Sequence, residues 1–420
     1  MMTQQEKRGW AMAVMLSIFL VLVIGGFSTV FAQAKPSPGT KGLIKIGWIG
    51  PLSGVGGEDG GRVLRGTKTA FEELKWEIAG RKIELLVEDS PMDPAVALAK
   101  LKKLYHDDKI DILIGPYSSA SGLAIRDFYH TNKLLTVSPQ AAVASLTQEK
   151  SSKYFFRTWN ASGQIAPFEG WLLAKLGYRT VTFFAPDFAA GRDQVLGIKK
   201  AFEKFGGRVL QEVYFPMGRT MDFAPLLAKI DVETPDIVYV WAFGGDAVRF
   251  VKQYADYGYK KKVPLITGTA VADSFLPAQG DAALGVFMTY WYGHTLDTPE
   301  NRRFKKLYVD VFGAEAAKLV TPYDEQGYLA GKIVVSGIQA VKGNVGDVDG
   351  MIQAIEKLDF EAPRGQFKFH QHNGVFNNYL WQVNRVEGRL LNTVLKAYGP
   401  IRQGWFEEGV EIAERPVPGK

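Results

Sequence analysis

Among the residues able to do chemistry, serines at two turns stand out. Gly115-Pro116-Tyr117-Ser118-Ser119-Ala120-Ser121-Gly122 follows the apolar run 110–114 and leads into a helical pattern over 123–129. A strand that hands over to a helix in this way gathers free backbone N–H groups and the positive end of the helix dipole at one place. Hydroxyls add charge-assisted hydrogen bonds there, so the group that fits is an anion. The same spacing also suits a purely local use, in which Ser118 or Ser119 caps its own helix. A second turn, Ser138-Pro139-Gln140-Ala141-Ala142, ends the run 134–137 and precedes the helical Val143-Ala144-Ser145-Leu146. Neighbouring strand ends of an open parallel sheet are where ligands sit.

Motifs of covalent and cofactor chemistry are missing. Gly54-Val55-Gly56-Gly57-Glu58-Asp59 carries Asp59 where a dinucleotide fingerprint needs its third glycine, and neither a Walker-type phosphate loop nor a Gly-x-Ser-x-Gly elbow occurs. The chain has no cysteine, which removes disulfides, thiolate metal sites and thiol nucleophiles. His370 and His372 would share one side of a strand as a metal pair does, but with no further ligand nearby in sequence a surface hairpin is the better reading. The pairs Asp107-Asp108 and Glu72-Glu73 read as solvated helix surfaces. No catalytic residue, metal or cofactor is therefore assigned, and the chain is not read as an enzyme.

The two turns need a scaffold, and composition allows a large one. The 420 residues are 46% hydrophobic and 22% charged, ordinary globular values. The +6 excess is dispersed, with Lys260-Lys261-Lys262 the longest basic run, so a nucleic-acid partner is not expected. Lys7 and Arg8 precede an uncharged stretch from Gly9 that ends in Ala32-Gln33-Ala34, which reads as a secretory signal cleaved after Ala34; an uncleaved anchor is the alternative. Strand-length runs at 43–49, 82–87, 110–114 and 134–137 alternate with helical segments such as 95–105, where Asp93-Pro94 supplies a cap and a first-turn proline. The alternation restarts after Thr158-Trp159-Asn160, with helices at 164–176, 192–205, 222–230 and 246–256 and strands at 180–184, 208–214, 237–241 and 264–267. Two successive sets of this kind predict an α/β protein of two doubly wound parallel-sheet lobes. Residues 366–394 differ, reading as an antiparallel hairpin around His372-Asn373-Gly374.

Ile44-Lys45-Ile46-Gly47, Pro51-Leu52-Ser53-Gly54, Glu88-Asp89, the segment 114–119 and Ser138-Pro139 together resemble the leucine/isoleucine/valine-binding family of type I periplasmic solute-binding proteins, which serve ABC importers. The resemblance implies three crossing segments between the lobes and a ligand closed between them. Residues 42–158 and 291–364 would form lobe 1, residues 159–290 and 365–395 lobe 2, and 396–420 a C-terminal tail. It further implies a periplasmic monomer that delivers its ligand to a membrane permease complex. Ser119 matches the serine that holds the ligand carboxylate, beside Tyr117 and Ser118, and the backbone of Gln140, Ala141 and Ala142 matches the second strand end. Phe243 and Tyr323 fall at aromatic wall positions, with Phe188 nearby, although phenylalanines also suit plain core packing. Ala142 and Ala190 stand where amino-acid binders usually carry Thr and Tyr, and Thr269 stands where they carry the Glu that pairs the ammonium. An ammonium buried without a carboxylate would cost several kcal/mol, so the expected ligand is an amine-free organic acid with an aromatic or apolar body. Asp187, Asp246, Glu58 or Asp59 could restore the missing charge. A branched-chain or other hydrophobic amino acid is then the alternative ligand, and an exported enzyme or a sensor subunit a further one.

Overall fold

The computed structural model describes residues 42–54 and 56–419, and the export signal read at 1–34 lies outside the described residues. Ile44–Gly50 (β1) is buried almost throughout, because it runs parallel between Arg81–Asp89 (β3) and Ile112–Ile114 (β4) in a sheet covered on both faces. Glu77–Ile78 (β2) lies outside β3, and Leu135–Ser138 (β5) and Phe155–Arg157 (β6) continue beyond β4. The second set repeats the plan. Thr180–Pro186 (β7) sits between Arg208–Phe215 (β8) and Ile237–Val240 (β9), followed by Leu265–Thr267 (β10) and Phe287–Tyr290 (β11). All these neighbours are parallel apart from β2 with β3.

The strand order reverses direction at β1/β4 in the first set and at β7/β9 in the second. Such switch points open a crevice at the carboxyl ends of the strands. Each of these strands feeds a helix: Gly57–Glu72 (α1) after β1, Ser119–Thr131 (α3) after β4, Ala189–Lys204 (α5) after β7 and Gly244–Asp256 (α6) after β9. Pro94–His106 (α2) starts as the sequence predicts, with the Asp93 side chain accepting from the N–H groups of Ala95 and Val96. Ala166–Lys175 (α4) packs on α5, and Pro322–Ala340 (α8), which follows Pro299–Ala317 (α7), packs on α1. The α1/α8 approach depends on glycine. A Cβ at Gly66 would lie 1.8 Å from the Asp324 carbonyl oxygen, and one at Gly327 would lie 2.0 Å from that of Val63.

The two halves of the sheet meet at a single backbone pair, Arg157 of β6 with Asn373 of Asn373–Val386 (β14), and β14 runs antiparallel to β11. Around this junction the Thr158 carbonyl accepts from Arg364, a fully buried guanidinium that also pairs with the fully buried Glu325. Trp159 meets Trp291 edge-on at 4.4 Å. The expected hairpin forms between Gly365–His370 (β13) and β14, but β14 also pairs with Arg389–Ile401 (β15), a strand that the sequence reading did not separate. Three helical readings change. The helix read at 222–230 is a four-residue turn, Ala224–Leu227, followed by the 3-10 turn Ala228–Asp231. Residues 143–146 give only the 3-10 turn Ala144–Thr147. Helix α3 starts four residues before the apolar pattern does, because Ser118 caps it.

Candidate functional site

At the first switch point the two serines make different contacts. Ser118 is the N-cap of α3, and its Oγ accepts from the Ser121 N–H at 3.1 Å. Ser119, one residue on, turns its half-buried hydroxyl to the neighbouring strand end, where Oγ accepts from the Val143 N–H at 3.0 Å. The Ser119 hydroxyl, with its acceptor side used in this way, keeps its proton for a further acceptor. Val143 belongs to the loop after β5. Within that loop Ala141 is buried, Gln140 and Ala142 are half-buried, and the Ala142 carbonyl accepts from the Ser162 N–H at 2.6 Å. Gln140 Oε1 accepts from Gln326 Nε2 at 3.1 Å, and Gln140 also bonds the buried Tyr117 hydroxyl.

Arg157 holds this loop from behind. Its guanidinium is fully buried and donates to the carbonyls of Ala141 at 2.9 Å and Val143 at 2.8 Å, to Asn373 Oδ1 at 2.7 Å and to Thr147 Oγ1 at 2.5 Å. Burial pushes its pKa down to about 9, which leaves it cationic at neutral pH.

The α1/α8 contact brings Asp59 to Tyr323. Asp59 lies in the first turn of α1 and Tyr323 in the first turn of α8, and their side chains are hydrogen-bonded. Burial first, then the neighbouring Glu58, raises the Asp59 carboxyl above its ordinary value. Burial also raises the phenols of Tyr117, Tyr290 and Tyr323, each of which feels the Asp59 charge. Tyr323 stacks on Trp159 at 6.2 Å and 13°. Of the four acidic residues that could restore a charge, the other three are held by arginines: Glu58 by Arg62, Asp187 by Arg192, and Asp246 by Arg249.

At the second switch point Phe188 and Phe243 are the extended residues just before α5 and α6. Their rings meet edge-on at 6.4 Å, and Trp241 completes a triangle of rings, stacked on Phe188 at 6.0 Å and edge-on to Phe243 at 5.4 Å. Phe243 is 38% exposed, so it is no core residue. Thr269, at the end of β10, donates its hydroxyl to the Ala242 carbonyl at 2.9 Å and thereby ties itself to the Phe243 loop. Behind it lies a carboxyl that sequence reading missed. Glu169 of α4 is buried and accepts from Thr289 Oγ1, Tyr239 Oη at 2.9 Å and Gln194 Nε2 at 2.6 Å, with no cation among these partners. Burial pushes its pKa up to about 7. A Cβ on Gly268 would lie 2.8 Å from Glu169 Oε1 and 3.5 Å from the Trp241 ring, so the carboxyl sits directly behind the Thr269 strand end.

The sequence-named residues thus fall into two groups. Tyr117, Ser118, Ser119, Gln140, Ala141, Ala142 and Tyr323 are linked at the first switch point, and Phe188, Phe243 and Thr269 at the second. Trp241, Trp159, Gln326, Arg157 and Glu169 were not singled out as site residues. A single arginine inside the apolar run Phe155-Phe156-Arg157 was a usable signal, since a lone cation in a buried strand needs a purpose. Both crevices are built from strand-end loops on repeated α/β topology, and the comparisons agree with that plan. The family profile described as periplasmic binding protein matches residues 43–388. The chain belongs to that family. This binding protein is 31% identical to an ABC transporter substrate-binding protein from Sphaerobacter thermophilus, with a TM-score of 0.80 over 86% of this chain and 99% of the other. It is 29% identical to a solute-binding protein of an ABC transporter from Rhodopseudomonas palustris HaA2, solved with p-hydroxybenzoic acid, at a TM-score of 0.76 over 86% of this chain and 98% of the other. A Leu/Ile/Val-binding protein homolog 6 from Brucella melitensis is 27% identical over 329 residues, 77% of this chain and 82% of its own length. The two-lobed α/β fold of this family is the fold of the chain.

Proposed function

We propose that the protein is the exported, periplasmic solute-binding subunit of an ABC importer. Its ligand is a small aromatic or otherwise amine-free carboxylate, which it passes as a monomer to a membrane permease complex, without catalysis. The lobes are proposed to divide as residues 42–158 with 291–364 and 159–290 with 365–395, so that the two switch points face one cleft. The observation that carries the ligand class is Thr269: its hydroxyl is tied to the Ala242 carbonyl beside the Phe188, Trp241 and Phe243 rings, which offers an apolar aromatic wall, and the carboxyl behind it, Glu169, is already bound by Thr289, Tyr239 and Gln194. Ser119 and the start of α3 supply donors for the carboxylate. The relative solved with p-hydroxybenzoic acid supports a ligand of this class.

A hydrophobic amino acid is the second reading, favoured by Asp59, whose carboxyl is hydrogen-bonded to Tyr323 and feels the charge of Arg62. A thermal-shift panel separates the two. A ligand held only by the folded state adds about 2.7 kcal/mol at a hundredfold excess over Kd. Benzoate and 4-hydroxybenzoate are expected to raise the Tm, and leucine, isoleucine and valine to leave it unchanged. A shift with leucine and none with any amine-free acid would overturn the proposal and make Asp59 the ammonium partner.

A further inference from the structure

The buried guanidinium of Arg157 is unusual for its company. Arg364, the other fully buried arginine among the described residues, is paired with Glu325, whereas the acceptors around Arg157 are all neutral: two backbone carbonyls, an amide and a hydroxyl. Among the described residues no carboxylate lies within ion-pair distance of it. Taking a cation out of water without a counter-charge is costly, so an arginine kept here asks for an anion that the chain itself does not provide. Two of its donors grip the Ala141 and Val143 carbonyls, on the loop whose Val143 N–H holds Ser119 Oγ.

We propose that Arg157 is the positioning residue that gives this binding protein its preference for an anion, supplying positive charge through the Ala141 and Val143 peptides to a carboxylate held at Ser119. The inference rests on the carboxylate reading given above and adds the source of the charge. A carbonyl that accepts from a cation polarises its own peptide, so the N–H groups of Ala142 and Ala144 become stronger donors. The field of the guanidinium also reaches past the loop with little screening, because the group is fully buried. Tyr117, Gln140 and Ser119 orient a ligand, and Arg157 decides that it is charged.

The test compares benzoate with its neutral isostere benzamide by calorimetric titration of the purified protein. Asn373→Asp places a carboxylate on the atom already 2.7 Å from Arg157 Nε, which neutralises the cation without removing it. Thr147→Asp does the same at a second nitrogen of the guanidinium, where Oγ1 is 2.5 Å from Nη2. Arg157→Lys keeps the charge and loses the fork. The wild type is expected to favour benzoate. Each neutralising variant is expected to cut the benzoate-to-benzamide affinity ratio by roughly tenfold, and Arg157→Lys to retain most of the ratio even where the Tm falls. A purely structural role would weaken both probes alike, so an unchanged ratio in either folded neutralising variant would overturn the inference. A wild type that binds both probes equally would overturn it as well. Failure of the wild type to bind any amine-free acid in the thermal-shift panel would instead sink the ligand class.

Discussion

Ser118 and Ser119 are adjacent and chemically identical, yet their neighbours assign them opposite work. Ser118 spends its oxygen on the Ser121 N–H and so closes the first turn of α3, while the Ser119 oxygen bridges to the Val143 N–H of the neighbouring loop. Ser118→Ala should therefore lower stability by about 1 kcal/mol, the usual worth of a cap, with little change in affinity for benzoate. Ser119→Ala should do the reverse: binding is expected to weaken by roughly 1.5 to 3 kcal/mol, about ten- to a hundredfold, at nearly constant Tm. Melting curves and titrations of the two variants side by side decide it. Interchanged effects would mean that Ser119 is the structural serine.

Helices and strands set what the side chains meet, and Glu169 shows how. It sits on α4, beneath the ends of β9, β10 and β11, where Tyr239, Gly268 and Thr289 leave room for a carboxyl but bring no cation. Its pKa is about 7 in the fold against an ordinary 4.5. A raised carboxyl means that the folded state binds the proton more tightly than the unfolded chain does. The stability that Glu169 contributes is thus complete below about pH 4.5 and is lost as the pH rises through about 7. The loss is roughly 3 kcal/mol by linkage. Denaturant titrations from pH 4.5 to 8 should show this decline in the wild type, and Glu169→Gln, which keeps the hydrogen-bonding shape, should flatten it. An equal slope in both proteins would assign the pH dependence to another group.

At the scale of the molecule, two sets of strands in the same order meet through one backbone pair at Arg157 and Asn373. Around that seam the packing is dense and ionic, with Arg364 bound to Glu325 and to the Thr158 carbonyl, and Trp159 wedged against Trp291. A seam of few residues between the two halves of the sheet favours rotation about the seam over deformation of either half. X-ray scattering should accordingly give a smaller radius of gyration with saturating aromatic acid than without. Superimposable curves, measured under conditions where calorimetry reports saturation, would argue against a hinge.

Alternating apolar runs and helical faces, with turns rich in Gly, Ser and Pro between them, were enough by themselves to indicate two doubly wound lobes, since each local period has only one partner geometry that buries it. The serine turn at 117–119 was equally legible, because strand, turn and helix start are consecutive in the chain. The helices read at 95–105, 164–176, 192–205 and 246–256 form within a few residues of those bounds, whereas Gly57–Glu72, Pro299–Ala317 and Pro322–Ala340 were not read as helices, and 222–230 gives two short turns instead of one helix. What only the tertiary structure decided is every relation between segments distant in sequence. Asp59 meets Tyr323 because Gly66 and Gly327 let two helices touch, and Trp241 joins Phe188 and Phe243 because β7 and β9 are neighbours at a switch point. Ser119 is released from capping by Val143, and Arg157 finds its carbonyls in a loop that it follows by 14 residues or more. A sequence states which groups a chain owns. Which of them are left without a partner, and so await a ligand, follows from the packing that satisfies all the others.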